Sequence, residues 1–135
     1  MKKVLFIDRD NDCLGQIAEA FARRFGKELV EARSAGTAHA ETVDEMTKAV
    51  LRERGFDIQE CRTKGLEALK GEEFDICIDF GCWDNECSNL VSCNERRSWD
   101  TISYPINEQY AEYRKLREEI GMKVMALFRE LRGNT

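Results

Sequence analysis

Hydrophobic and polar positions alternate along the chain in blocks that predict strands and helices in turn. Residues 4–7 form a continuous apolar run, which is typical of a strand buried on both faces. Residues 29–34 and 74–80 predict two further strands. Apolar residues recur at helical spacing from about Gly15 to Phe25. Strands and helices that alternate in this way indicate βαβ units and a parallel sheet.

The pattern is less regular in the rest of the chain. Thr42 and Glu45 have the spacing of a capping box, so a helix is expected to start there and to end at Gly55. Apolar positions from Asn107 onwards mark one face of a long final helix. Three further segments are expected: a short helix at 63–69, a polar loop with cysteines at 81–98 and a short fourth strand near 101–103.

Composition narrows the classes of function. With 135 residues, the chain is expected to form one domain, residues 1–135. Its net charge of −5 argues against sequence-independent nucleic-acid binding, which needs a basic face. No apolar run approaches the ~20 residues of a membrane span. Asp8 interrupts the apolar start too early for an export signal, so a cytoplasmic location with mostly reduced cysteines is expected.

The first turn predicts an anion-binding cradle. A buried strand is followed by a short loop and a helix that begins near residue 14, so loop N–H groups and the helix dipole point at one spot. Asp8, Asp10 and Asp12 crowd this loop, and only Arg9 offsets them. In one interpretation Asp8 or Asp12 folds into the cradle and accepts the loop hydrogen bonds itself. In the other, Asp12 caps the helix and the remaining carboxylates are solvated.

Several motifs together resemble one known family. They are the opening strand, Asn11-x-Cys13, AEA at 18–20, SAGT at 34–37, GFDI at 55–58 and DICIDFGCWDNEC at 75–87. This combination is similar to the low-molecular-weight protein tyrosine phosphatases and to the thioredoxin-coupled arsenate reductases that share their fold. The resemblance covers nearly the whole chain. It implies a three-layer α/β fold, in which a four-stranded parallel sheet of order 2-1-3-4 has helices on both faces.

The active-site loop departs from the family's pattern, which has the form C-x-x-N-x-C-R-S. Asp8 stands at the position of the nucleophilic cysteine, and Leu14 stands at that of the phosphate-binding arginine. Gly15 replaces the serine that assists the thiolate. Asn11 and Cys13 are both retained. The family's general acid, an aspartate followed by proline, is also missing, because a tyrosine precedes the proline here.

These replacements predict a loss of the family's thiol chemistry. Asp8 cannot supply the thiolate that attacks phosphorus or arsenic. Leu14 cannot bind an oxyanion or neutralise charge in a transition state. With Tyr104 before Pro105, proton donation to a leaving group is lost as well. We therefore expect no catalysis, and expect a binding or redox-sensing role for a degenerate member of the phosphatase and arsenate reductase family.

An active enzyme is the alternative. The sequence from Val4 to Asp10 also resembles the opening of the haloacid-dehalogenase-type phosphatases, whose strand ends in D-x-D. In that interpretation Asp8 is the nucleophile, Asp10 is the acid and base, and magnesium bound at both is the cofactor. A divergent arsenate reductase that relies on Cys13 and Cys82 is a further form of the alternative. The leading interpretation needs no cofactor.

The expected redox role rests on cysteines in the second half of the chain. By resemblance, Cys82 and Cys87 match the pair that the arsenate reductases oxidise to a disulfide, which a thioredoxin-like reductant then reduces. A thioredoxin-like reductant or another protein is thus the expected partner. In an alternative interpretation, zinc is bound by Cys82, Cys87 and Cys93, although their spacing differs from the usual C-x2-C. Cys77 lies in a predicted strand and is expected to be an ordinary core residue.

Overall fold

The fold is an alternating α/β arrangement around one parallel sheet. A computed structural model describes residues 1–133. Its strands run in the order β2-β1-β3-β4 and all pair in parallel, which confirms the predicted fold class. The elements are β1 (Lys2–Asp8), α1 (Leu14–Phe25), β2 (Val30–Gly36), α2 (Glu45–Glu53), a 3-10 turn (Leu66–Leu69), β3 (Glu73–Asp79), α3 (Asn85–Leu90), β4 (Ser92–Ser98) and α4 (Tyr110–Leu131).

Both faces of the sheet are covered. Val4 and Phe6 of β1 pack into a cluster formed with α1, α2 and α4. Leu5 and Ile7 pack on the opposite face, into a smaller cluster formed with the 3-10 turn and α3. Because β1 is central and buried on both sides, its apolar run is continuous rather than alternating. Among the described residues, no helix is long and apolar enough to cross a bilayer.

The prediction for the fourth strand is wrong. The strand lies at Ser92–Ser98, and the expected loop at 81–98 contains both α3 and β4. β4 lies at the edge of the sheet, with most of its residues exposed, so its sequence SCNERRS carries no apolar pattern. The signal near 101–103 came from Ile102, which is buried in the core outside any strand.

The boundaries of two helices also differ from the prediction. The first residue before α2 is Asp44, whose Oδ2 accepts a hydrogen bond from the Thr47 N–H at 3.0 Å. Asp44 is thus the cap of this helix, two residues after the expected cap at Thr42. The predicted end is confirmed, because Gly55 follows the last turn with φ of +81°. The final helix begins at Tyr110 rather than at Asn107.

Two aspartates in β3 have structural partners. Asp75 accepts a hydrogen bond from the Lys3 N–H at 2.7 Å and thereby joins the starts of two neighbouring strands. Asp79 is buried at the end of β3, where Oδ1 accepts from the Gly81 N–H at 2.8 Å and the Ser98 hydroxyl at 3.0 Å. These bonds offset part of the cost of placing aspartates in a mainly apolar strand, while Oδ2 of Asp79 is buried without a hydrogen-bond partner among the described residues.

Candidate anion-binding loop

The candidate site is the loop at residues 9–13, between the carboxyl end of β1 and the start of α1. It lies beside the end of the neighbouring strand β2. The Thr37 N–H donates to the Asp8 carbonyl at 3.1 Å, and the Ala38 N–H donates to the Arg9 carbonyl at 2.8 Å. These backbone bonds fix the start of the loop at the edge where parallel α/β sheets bind their ligands.

Asn11 holds the loop in shape. Its φ of +55° is the left-handed region, and its side chain is fully buried. The side-chain Nδ2 donates to the Ser34 hydroxyl at 3.0 Å, and Oδ1 accepts from the Lys64 N–H at 3.0 Å and Gln16 Nε2 at 3.1 Å. Gln16 also donates to the carbonyls of Asn11 and Arg62. The turn is therefore a preorganised scaffold with satisfied polar groups.

The carboxyl group of Asp8 occupies the cradle. Asp8 is only 1% exposed. Its Oδ2 accepts hydrogen bonds from the Gly15 N–H at 3.3 Å, in the first turn of α1, and from the Tyr104 hydroxyl at 3.0 Å. Its Oδ1 is buried and has no hydrogen-bond partner among the described residues. This geometry agrees with the interpretation in which a carboxylate folds into the cradle.

Burial weakens the acidity of this group. Loss of solvent raises the pKa of Asp8 to about 6, and the nearby charge of Asp12 acts in the same direction. The hydrogen bonds from Gly15 and Tyr104 oppose this shift because they stabilise the ionised form. Asp8 therefore changes its charge near pH 6, well above the range of an ordinary aspartate.

The missing side chain at Gly15 makes room for Asp8. A Cβ atom at this position would lie 3.1 Å from Oδ1 of Asp8 and 3.3 Å from Nδ2 of Asn11. Both contacts are tight, so a side chain would require one of these groups to move by a few tenths of an ångström. The absence of a side chain at Gly15 thus leaves room for the Asp8 carboxyl group and the Asn11 amide group.

Cys13 and Leu14 are placed differently from Asp8 and Asn11. They are 2% and 1% exposed, and both belong to the hydrophobic cluster beneath α1. Burial raises the pKa of the Cys13 thiol, which favours the uncharged form. Of the four predicted loop positions, the structure therefore brings two polar side chains together and directs the other two into the core.

The role of Asp12 as a helix cap is not found. The residue before α1 is Cys13, and it makes no side-chain capping bond. Asp12 is half-buried instead, and its Oδ1 has no hydrogen-bond partner among the described residues. Burial and the charges of Asp10 and Asp44 raise its pKa. The loop thus holds a second carboxylate in an unfavourable environment.

Tyr104 is a site residue that sequence reasoning missed. It lies in the segment between β4 and α4, far from Asp8 in the sequence, and its hydroxyl donates to the Asp8 carboxyl. Burial and the charge of Asp8 raise the pKa of this phenol, so it remains a protonated donor. Its place before Pro105, where the family has its general acid, was the available signal.

The structure does not test the predicted magnesium site at Asp8 and Asp10. In the described part of the chain, no three His, Cys, Asp or Glu side chains form a group suited to a metal ion. Asp10 lies near the Arg9 guanidinium, with 4.0 Å between Nε and Oδ1. A metal ion at Asp8 and Asp10 therefore stays a prediction.

The cysteines are arranged differently from the expectation. Cys77 is fully buried as expected, but it is joined to Cys93 in a disulfide, so the prediction of an ordinary core thiol is wrong. This bond also removes Cys93 from any set of zinc thiolates. Cys82 and Cys87 are free. The strand pattern that placed Cys77 in the core carried no information about its cross-strand partner.

Both free thiols of the predicted redox pair are poorly reactive in this conformation. The Cys82 thiol donates to the Ile7 carbonyl at 3.4 Å, next to the start of the loop. Burial raises the pKa of Cys82 to about 12, and burial also raises that of Cys87. Since the thiolate is the nucleophile, the raised pKa values favour the protonated, less nucleophilic form of both thiols.

Comparison with known proteins identifies the family. The model of the low molecular weight phosphotyrosine protein phosphatases matches residues 3–135. The chain belongs to this family. It is 26% identical over 132 residues to the glutaredoxin arsenate reductase of Synechocystis sp., which covers 97% of this chain and 99% of the relative.

Further relatives are arsenate reductases by name. The putative arsenate reductase of Halobacterium salinarum is 28% identical over 130 residues, covering 93% of this chain and 89% of that protein. Among solved structures, an arsenate reductase in the phosphate-binding state has a TM-score of 0.82 and 25% identity, over 97% of this chain and 99% of that chain. These likenesses confirm the resemblance and the fold.

Proposed function

We propose that this phosphatase-family protein is a binding protein without the family's thiol chemistry. The observation that carries the proposal is the Asp8 carboxyl group, which stands at the nucleophile position and receives the hydrogen bonds of the Gly15 N–H and the Tyr104 hydroxyl. A substrate oxyanion would need the same helix N-terminus. An ionised Asp8 therefore competes with it directly.

The remaining positions support the same conclusion. Leu14 lies in the hydrophobic cluster, so no guanidinium is present at that position to neutralise a transition state. Cys13 is buried with a raised pKa, which makes it a poor substitute for the lost thiolate. The Tyr104 hydroxyl donates a hydrogen bond to the Asp8 carboxyl group, so its proton is not directed at a leaving group. Each group that the family uses for catalysis is thus absent or engaged elsewhere.

A redox-sensing role at Cys82 and Cys87 is the second part of the proposal. Cys87 of α3 is a free thiol in the smaller hydrophobic cluster, and Cys82 is a free thiol that packs against this cluster. Cys82 also contacts the strand that leads into the loop. The relatives include a glutaredoxin arsenate reductase. We infer a thioredoxin- or glutaredoxin-like reductant in the cytoplasm as the partner. Its docking would have to expose both thiols, because burial keeps them protonated.

Turnover assays test the proposal. Reduced, purified protein is incubated with p-nitrophenyl phosphate, with and without magnesium. It is also incubated with arsenate and either thioredoxin or glutaredoxin with its reducing system. An active arsenate reductase of the family serves as the positive control. The expected result is no turnover above the rate without protein in any condition.

Two outcomes would contradict the proposal and distinguish the alternatives. Hydrolysis that needs magnesium and is lost in Asp8→Asn would show an aspartyl phosphatase on this fold. Arsenate reduction that persists in Asp8→Asn but is lost in Cys13→Ser or Cys82→Ser would show a rewired thiol mechanism.

A further inference from the structure

A cavity of about 330 Å³ lies on the face of the sheet that carries the 3-10 turn and α3, and no residue of the loop at 9–13 lines it. Its walls are formed by residues 36–39 at the end of β2, residues 65–68 at the start of the 3-10 turn, and the segment 84–90 that contains α3. The volume lies at the lower end of the range of small-molecule sites in proteins. The cavity is therefore large enough for a compact organic ligand.

Two glycines set the shape of one wall. Gly36 and Gly65 pair as an isolated parallel bridge. A Cβ atom at Gly65 would lie 2.7 Å from Cδ2 of His39, so the imidazole ring packs directly on the glycine backbone. Nδ1 of the ring lies 3.1 Å from the Ala40 carbonyl oxygen, which can only accept, so Nδ1 carries the proton and Nε2 is the acceptor of the neutral ring. His39 thus adds a hydrogen-bond acceptor to the cavity.

The inner wall of the cavity is apolar. Leu66 is 3% exposed and Cys87 is fully buried, and both belong to the smaller hydrophobic cluster. Leu90 packs against that cluster, and Ala38 and Ala68 complete the apolar lining nearer the solvent. A hydrocarbon group that enters the cavity leaves water and contacts these side chains, which favours its binding.

Negatively charged side chains surround the opening of the cavity. Glu67, Asp84 and Glu86 line it and are exposed, and no described lysine or arginine lines it. Oδ1 of Asp84 accepts a hydrogen bond from the Cys87 N–H at 3.1 Å, which lowers the pKa of Asp84 and keeps it ionised at neutral pH. None of the three carboxylates forms a salt bridge with another described residue. The opening therefore attracts a cation.

We propose that this cavity binds a small organic cation, an amine that carries a compact apolar group. The ammonium group lies among the carboxylates of Glu67, Asp84 and Glu86, and the apolar group packs against Leu66 and Leu90. The carboxylates are not arranged for a metal ion, because no three His, Cys, Asp or Glu side chains in the described part of the chain form a suitable group. The cavity is separate from the loop at 9–13, so this inference does not depend on the proposed function.

Matched probes separate the effect of charge from that of hydrophobic contact. Phenethylamine, phenethyl alcohol and phenylpropionate share an aromatic group and differ in charge, whereas ethylamine keeps the charge without the ring. Binding to the whole chain is followed at neutral pH by the NMR shifts of the amides at 36–39 and 65–68. Phenethylamine should saturate these shifts and bind about ten-fold more tightly than phenethyl alcohol, because each of three carboxylates contributes about two-fold or more. Phenylpropionate and ethylamine should also bind much more weakly than phenethylamine.

Cys87 gives a second readout, because its thiol lies in the wall of the cavity. A bound amine lies between this thiol and the solvent, so saturating phenethylamine should slow the alkylation of Cys87 by iodoacetamide. Cys61 is also a free cysteine and does not line the cavity, so its alkylation should be unchanged. Mass spectrometry of the labelled peptides measures both rates in one sample.

Variants of the lining residues test the position of the ligand. Glu67→Gln and Glu86→Gln should each weaken the binding of phenethylamine about two- to five-fold. Glu60→Gln, which changes an exposed glutamate outside the cavity, is the matched control and should leave binding unchanged. Ala68→Phe places a ring in the cavity from an exposed position, so it should abolish binding while urea denaturation shows a folded protein.

Several results would overturn the inference. Equal affinity for phenethylamine and phenylpropionate would show that the carboxylates do not select a cation. Absence of saturable shifts at 36–39 and 65–68, or binding that persists in Ala68→Phe, would show that the amine does not occupy this cavity. Tighter binding of Nα-acetyl-lysine amide than of phenethylamine would indicate the side chain of a peptide instead of a free amine. None of these results involves turnover, so failure of this inference remains distinct from failure of the proposed function.

Discussion

Asp8 and Asn11 lie three residues apart in one loop, and their environments are opposite. Both side chains are buried. Asn11 has partners for its side-chain nitrogen and oxygen, whereas Asp8 has one oxygen without a partner and a pKa raised to about 6. The hydrogen-bonded scaffold of the loop is therefore satisfied, whereas the carboxyl group that it surrounds is not. A well-formed loop scaffold thus does not by itself say which chemistry the loop performs.

Substitution of Asn11, which holds the loop in shape, should cause the largest loss of stability. Asn11→Ala removes three side-chain hydrogen bonds and leaves φ of +55° to a residue that disfavours it. We expect a loss of about 3 kcal/mol in the free energy of unfolding, measured by urea denaturation. Ser34→Ala, which removes one of these bonds, is the control and should cost about 1 kcal/mol. An Asn11 variant as stable as the Ser34 variant would contradict the comparison.

Variants of Leu14 test whether the side chain at this position points into the core or towards the loop. Leu14→Arg places a guanidinium in a hydrophobic cluster, so we expect a loss of about 3 kcal/mol in thermal or urea unfolding. Leu14→Met is the matched control and should cost less than about 1.5 kcal/mol. If Leu14→Arg were as stable as Leu14→Met, its side chain would have turned towards the loop, and the assignment to the core would be wrong.

Substitution of Asp8 should increase the free energy of unfolding, whereas substitution of Asn11 should decrease it. Its folded-state pKa of about 6 exceeds the ordinary 3.8, so the folded protein binds the proton more tightly than the unfolded chain. Ionisation therefore destabilises the fold progressively as pH rises from about 4 to about 6, and the full penalty is present above this window.

Asp8→Asn removes that penalty. The variant should be more stable than wild type at pH 7 by an amount on the order of 1–2 kcal/mol, and the difference should vanish near pH 4. Urea denaturation at both pH values measures it. Asp10→Asn, at a more exposed position in the same loop, is the control and should change stability by less than about 0.5 kcal/mol. A less stable Asp8→Asn protein at pH 7 would refute the account of a strained carboxylate.

The smallest effect is expected for the rate at which the Cys82 thiol is alkylated. Because burial raises the pKa of Cys82 to about 12, iodoacetamide at pH 7.5 should label it at least about ten-fold more slowly in the folded than in the urea-unfolded protein. Mass spectrometry of the labelled peptides measures the ratio. Equal rates in both states would indicate an open, reactive Cys82 and would favour the redox role over the binding role.

Sequence patterns predicted the parts of the fold that are buried. The strands β1 and β3 and the helix α1 carry apolar runs or helical spacing, because each packs against the core. β4 was misplaced because an edge strand with exposed side chains has no such pattern. Asp44 replaced Thr42 as a cap, since several residues in that turn have suitable side chains.

The candidate loop could be located from sequence, but its contacts could not. The strand, loop and helix pattern indicated the cradle, and the crowding of aspartates suggested that one would enter it. The partner of Asp8, Tyr104, lies 96 residues away in the sequence. No periodicity in the sequence predicts such a contact. Tyr104 reaches the end of β1 only because of the path that the segment before α4 takes in the folded protein. The disulfide between Cys77 and Cys93 was missed for the same reason.

Whether the carboxyl group of Asp8 occupies the cradle is tested by the titration of its carboxyl carbon. In protein labelled with 13C at aspartate, its NMR signal is assigned by its absence in Asp8→Asn and followed from about pH 3 to pH 8. The account predicts a midpoint near pH 6, with the Gly15 amide shifting at the same midpoint because it donates to this carboxylate. A midpoint near pH 4 without a change at Gly15 would place Asp8 in solvent and contradict the claim that it occupies the cradle.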